Sequence, residues 1–238
     1  MTVNYNVQRG HFINSLLIAF CICLFISLIH LFFELVPADK FSWSIYPRDP
    51  SQWYGVFTGH YIHASWNHLL SNLTPLFVSL TMIFFFYRSI GWAVYFMIWI
   101  ITGFAVFMFA RSNSHLGASG LVYGLIAFVF FSGIFRRNAK SIVLMIIMTV
   151  MYGSYTAGFL PIDEKVSFES HIFGALAGLW TAFVFRDFRE HDERVEKPSW
   201  SEDDRPKEYF FSKDLFDRTI QQRMEDEEQR QKEQDLNL

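Results

Sequence analysis

Charge is what the first 186 residues of this 238-residue chain have least of: ten Lys and Arg against six Asp and Glu. Residues 187–238 carry ten and seventeen, so the net charge of −3 averages two unlike regions. Cysteine is almost missing. Cys21 and Cys23 stand two apart in one apolar run, which excludes a disulfide framework or a zinc site and leaves two core thiols. No His-Glu-x-x-His pair occurs, which removes the zinc-protease reading. No aspartates sit as a pair inside the apolar runs, and neither an internal repeat nor an inverted symmetry of the transporter kind is visible.

Apolar and aromatic bulk is what fills the chain: 52% apolar and 19% aromatic, with 28 Phe. A soluble domain has about 45–50% apolar residues, so distribution matters more than the total. Phe12–Val36 is a single apolar run, too long for a signal-peptide core and without a small-residue cleavage site after it. Roughly 20 apolar residues cross a bilayer, so this run predicts a first transmembrane helix, with His30 and Glu34 reaching the interface from its last turns. Five further spans are expected near His68–Tyr87, Ile90–Ala110, Leu116–Phe135, Ile142–Leu160 and Val166–Phe185. Between the first two lies a long connection rich in Pro, Trp and Tyr, including Trp43, Trp53, Tyr54 and Trp66. Such residues favour the headgroup level, so an ordered interfacial piece is expected there. The chain thus reads as an all-α membrane protein: a six-helix membrane domain over residues 1–186 and a soluble, acidic, partly helical tail over 187–238. Within the tail, Pro206 is placed to open a helix striped by Phe211, Leu215, Phe216, Ile220 and Met224. Such a stripe suits a partner or a membrane surface.

Basic residues set the orientation. Arg9, Arg88, Arg136, Arg137, Lys140, Arg186 and Arg189 fall on one side of the six spans; Lys40, Arg48, Arg111 and Lys165 fall on the other. The richer side is expected to be cytoplasmic, which puts both termini inside and the aromatic loop outside. The N-terminus is not of the Arg- and Ser-rich transit kind, which favours a bacterial cytoplasmic membrane.

With that orientation, spans two, four and six all run from outside to inside. Ser119, His171, His68 and Asn72 all lie near the starts of these spans, at one shallow depth. Polar residues in hydrocarbon are costly and usually face a cavity or a partner. Ser119 alone has a plain packing explanation, because small residues let helices approach. Gly174 and Gly178, four apart on span six, permit close contact with Gly120 and Gly124 on span four, and that contact would bring His171 beside Ser119. A serine hydroxyl needs a base to become a nucleophile, and imidazole serves near neutral pH. Attack on an amide creates an oxyanion, for which His68, Asn72 and the Ser119 N–H are candidate donors. No carboxylate stands where it would orient His171: Glu169 points elsewhere, and Asp163 and Glu164 fall in a loop. The unit reads as a dyad, with Tyr123 as a ring for His171 to rest against.

These residues resemble those of the rhomboid family of intramembrane serine proteases. The likeness rests on Gly117–Ala118–Ser119–Gly120 with Tyr123, on His63, His68 and Asn72, and on His171–Ile172–Phe173–Gly174 with Gly178. It covers residues 12–186. It implies Ser119 as nucleophile and His171 as general base and acid. His68 and Asn72 would assist the oxyanion, Tyr123 would support His171, and Gly117 would keep the approach open. His63 matches a family position without a definite role, and His60 is assigned none. Trp53–Tyr54 stands where many members have Trp-Arg, and Ser170 where a small residue is usual. The implied activity is cleavage of transmembrane segments near their outer ends, in a lipid bilayer, with no metal, cofactor or nucleic acid. A catalytically inactive rhomboid-like binder of client helices is the alternative. A small transporter or channel ranks lower, because spans three and five hold no ionisable residue.

Overall fold

The computed structural model describes residues 5–161, 167–190, 193 and 218–236. The chain divides into two compact units, Met1–Arg194 and Val195–Leu238. In the first, the helices are α1 (Tyr5–Leu35), α2 (Gly55–Thr58), α3 (Trp66–Phe86), α4 (Gly91–Phe109), α5 (Ser119–Arg136), α6 (Ala139–Tyr152) and α7 (Phe168–Val184). Among the described residues there is no strand, only an isolated antiparallel bridge between Ile45 and His115. Among the described residues, five stretches are long and apolar enough to cross a membrane: Asn6–Leu35, Trp66–Phe86, Gly91–Phe109, Ser119–Arg136 and Ala139–Phe159. At 17 residues, α7 lies at the short end of the spanning range of about 17–25.

Helix starts follow local capping chemistry. Ser65 accepts the His68 N–H to open α3, Asn138 accepts the Ser141 N–H to open α6, and Ser167 accepts the Ser170 N–H to open α7. A 3₁₀ segment, Gly153–Phe159, continues α6. Helix α1 begins earlier than its apolar run, at Tyr5, because the polar residues before Phe12 contain no proline to stop it.

Helix α5 is the axis of the bundle. Its Leu121, Val122, Leu125, Phe128 and Val129 are buried within the main core, while α1 leaves most of its large apolar side chains exposed. Helices α5 and α7 touch backbone to backbone: a Cβ on Gly174 would collide with the Gly120 carbonyl, and one on Gly178 with the Gly124 carbonyl. Small residues at such crossings let helices pack in the absence of a hydrophobic drive between them.

The connection from Val36 to Ser65 is built of short helical turns at Lys40–Trp43, Pro50–Gln52, Gly55–Thr58 and Gly59–Tyr61. Arg48, at φ 62°, sends its guanidinium to the Ala110 carbonyl at 2.8 Å and the Ser112 hydroxyl at 2.9 Å. That places a cation at the C-terminus of α4, where the helix dipole favours one. Trp43, Trp53 and Trp66 remain exposed. Two side chains differ from expectation. Cys21, expected to be a core thiol, is exposed, while Cys23 is buried. His30 is buried, not interfacial, because α1 packs on α3 there and Trp66 covers it edge-on at 4.6 Å. Glu34 does reach outward, where Lys40 holds it at 2.9 Å.

At the opposite end of the bundle, Arg136 is buried, 4.8 Å over the Tyr87 ring and 3.4 Å from Glu193. Lys140 reaches the same carboxylate at 2.7 Å, and Glu190 accepts the Ser89 hydroxyl at 2.6 Å. The segment following α7 therefore closes this end over the α3–α4 and α5–α6 turns.

In the second unit, Ile220–Leu236 forms α8. Ile220 and Met224 are exposed on it. Pro206, Phe211, Leu215 and Phe216, expected to start the apolar stripe, lie outside the described residues, as do Asp163, Glu164 and Lys165.

Candidate active site

Ser119 is the first residue of α5. Its N–H is therefore one of those that an α-helix leaves without an intrahelical partner. The turn before it depends on Gly117, whose φ of +112° suits glycine alone. A Cβ there would also press on the His68 ring at 2.7 Å. Two bonds hold this turn. The Gly117 N–H donates to the Gly59 carbonyl at 2.9 Å, and the Ala118 N–H donates to His63 Nε2 at 3.2 Å. His63 Nδ1 faces the Tyr61 carbonyl at 3.3 Å, so it carries the proton and Nε2 accepts. Burial pushes the His63 imidazolium down to a pKa of about 3, with His68 nearby adding to the effect. A neutral His63 that pins the backbone one residue before Ser119 is a place the sequence left unassigned.

His171 sits one turn into α7. Its ring lies flat on Tyr123, with centroids 4.1 Å apart and planes at 8°. Nδ1 is 2.8 Å from the Gly158 carbonyl oxygen. A carbonyl only accepts, so Nδ1 holds the proton and Nε2 is left with its lone pair. The Tyr123 hydroxyl donates to the Tyr155 carbonyl at 2.7 Å. Both orienting carbonyls belong to the 3₁₀ segment after α6, and a Cβ on Gly158 would strike the Tyr123 hydroxyl.

Asn72 uses one amide hydrogen on the His68 carbonyl at 3.0 Å. The ring centroids of His63 and His68 are 5.0 Å apart. Ser119, His171, His68, Asn72 and Tyr123 all line one open cavity of about 620 Å³, together with Ser65, His115 and Ser167. A separate apolar cavity of about 250 Å³ lies between α5, α6 and α7 and also borders Tyr123. No group of three or more metal-ligating side chains occurs among the described residues.

The Rhomboid domain family matches residues 50–188, more than half of the chain and all of this cavity's polar wall. The chain belongs to the rhomboid family. This rhomboid is 32% identical over 141 residues to uncharacterised proteins of Mycobacterium tuberculosis (strain ATCC 25618 / H37Rv) and Mycobacterium bovis (strain ATCC BAA-935 / AF2122/97), a match covering 55% of this chain and 58% of each. A protein of Mycobacterium leprae (strain TN) is 30% identical over 140 residues, 55% of each chain. The rhomboid described here thus spans a little over half the length of the curated relatives it matches.

Three participants escaped the sequence reading. Gly158 is an ordinary glycine in a loop until its carbonyl is seen beside His171. Ser167, half-buried, and His115, buried, are polar residues linked to each other at 2.6 Å. For His115 a signal existed: it is one more histidine near the start of an apolar span, four residues before Ser119. Glu169, set aside as an orienter of His171, pairs with Arg111 at 3.2 Å.

Proposed function

We propose that this rhomboid is an intramembrane serine endopeptidase with Ser119 as nucleophile and His171 as general base. The observation that carries the reading is the poise of His171. Its Nε2 lone pair is free on a cavity wall shared with Ser119, while its Nδ1–H is held by Gly158. In the reaction the Ser119 hydroxyl proton passes to Nε2 as Oγ bonds the substrate carbonyl carbon. The scissile C–N bond then breaks, and the amine leaves with that proton. Water enters by the same route and gives a proton to Nε2 as its oxygen bonds the acyl carbon; the C–Oγ bond then breaks, and Oγ takes that proton back from Nε2. The oxyanion of both steps is met by the Ser119 N–H and by donors on Asn72 and His68. The main-chain carbonyl of Gly158 takes the orienting role that a carboxylate fills in a triad.

The substrate is a transmembrane segment cut near its outer end. Such a segment must unwind to offer a carbonyl, which is expensive in lipid, so Gly, Ala or Pro in its outer part is favoured. In this reading α7 is the sixth span, both termini lie on the basic, cytoplasmic side, and the membrane is the bacterial cytoplasmic one. Liposomes with the purified protein and a fluorescent single-span substrate test it. Wild type should cleave, and Ser119→Ala and His171→Ala should not. Cleavage that persists in Ser119→Ala refutes the mechanism, and a wild type that binds the helix intact favours a non-catalytic binder.

A further inference from the structure

His115 is buried in the loop between α4 and α5 and is joined on three sides. Its backbone pairs with Ile45, the two N–H···O distances being 2.8 and 2.9 Å. Its Nε2 is 2.9 Å from the Arg111 carbonyl, and its Nδ1 is 2.6 Å from the Ser167 hydroxyl. The carbonyl fixes the proton on Nε2, so Nδ1 accepts and Ser167 donates to it. Burial holds the His115 imidazolium below the ordinary histidine range, in keeping with a neutral ring. Ser167 then has lone pairs left for Ser170, whose hydroxyl lies 2.6 Å away and whose N–H lies 3.3 Å away. The donors run one way, from Ser170 through Ser167 and His115 to Arg111. Ser167 is the N-cap of α7, and Ser170 immediately precedes His171.

We propose that His115 is a positioning residue that sets the separation of Ser119 from His171. It ties the loop entering α5 to the first turn of α7, and this inference rests on the protease reading above. The Arg111–Glu169 pair, its guanidinium 37% and its carboxylate 12% exposed, fastens the same two segments through side chains that reach neither Ser167 nor His171. His171 is thus held twice, by Gly158 at its ring and by the capped turn at its backbone. Loss of the second hold lets the turn drift while the ring keeps its tautomer.

The test compares wild type with His115→Ala, Ser167→Ala, His115→Asn and His115→Gln. It reads the rate at which a fluorophosphonate labels Ser119, then kcat, KM and Tm. Both alanine variants should lower labelling and kcat by about ten- to a hundredfold, the scale of a displacement of an ångström or less. KM should stay within about twofold, because a lost transition-state alignment leaves ground-state binding alone. Asparagine puts its Oδ1 where Nδ1 stood and keeps the Ser167 bond; glutamine puts its amide nitrogen where Nε2 stood and keeps only the Arg111 bond. Asparagine should therefore recover activity and glutamine should not, although both keep a polar side chain. Equal activity of these two variants, or an undiminished rate in His115→Ala, overturns the inference and leaves the protease reading standing. A wild type whose Ser119 does not label overturns both.

Discussion

Replacing Gly174 by alanine places a methyl group on the Gly120 carbonyl. The added Cβ would overlap the oxygen and lie 2.8 Å from the carbonyl carbon. An ordinary C···O contact is about 3.3–3.6 Å, so α5 and α7 must part by roughly 1 Å at this point. Overpacking of this kind costs about 1–3 kcal/mol. Because His171 lies one turn above Gly174, the same displacement moves it away from Ser119, and a shift of about 1 Å costs about a hundredfold in rate. Gly153 supplies the control: nothing lies within 4 Å of its added Cβ, and its φ of −58° suits alanine. Gly153→Ala should be neutral or stabilise by about 0.4–1 kcal/mol by restricting the unfolded chain. Unfolding in mixed micelles titrated with SDS gives the stabilities, and cleavage of the single-span substrate gives kcat. An unchanged midpoint in Gly174→Ala, or an equal loss in Gly153→Ala, would show that backbone contact between α5 and α7 does not limit the fold.

Tyr123→Phe keeps the ring under His171 but loses the bond to the Tyr155 carbonyl, so stability should fall by about 0.5–1.5 kcal/mol. Tyr123→Ala should lower kcat further than Tyr123→Phe; equal kcat values would remove the stack from the argument. Asn72→Ala should lower kcat about ten- to a thousandfold, the range at and below a strong oxyanion donor, and an unchanged kcat takes Asn72 out of the site. Burial holds His60 at a pKa of about 4 and His63 at about 3, both in the loop before α3. Their unfolded values are near 6.5, so below that pH the unfolded chain binds more protons and stability falls. Each should cost about 1.4 kcal/mol per pH unit as the pH drops from about 6.5 toward the folded values, with full stability above. Unfolding midpoints that do not change between pH 7.5 and 5.5 would contradict this.

Long apolar runs and their spacing made most helices readable, since periodicity and length alone separate them from loops. The sixth expected span, Val166–Phe185, holds α7, which at 17 residues is shorter than the five stretches able to cross a membrane, because Ser167 caps it and the turn at Phe185 ends it. The expectation of one depth for Ser119, His171, His68 and Asn72 came from the order of the spans, and all four line one cavity. What stayed hidden is main-chain chemistry. The sequence does not mark which carbonyl faces His171, because any residue supplies one; only the path of the segment after α6 selects Gly158. Likewise His30 is as polar as an interfacial residue, and its burial depends on where Trp66 lies across α1.

The bond from His171 to Gly158 has an evolutionary side. A carboxylate orienter is a single mutational target: one codon change deletes it. A main-chain carbonyl cannot be deleted that way, since every substitution at residue 158 retains the oxygen. The vulnerability shifts to side-chain bulk, because any residue larger than glycine there meets Tyr123 and His171. Drift at this position should therefore shift the orienter by distances rather than remove it, giving a graded loss of function instead of an abrupt one.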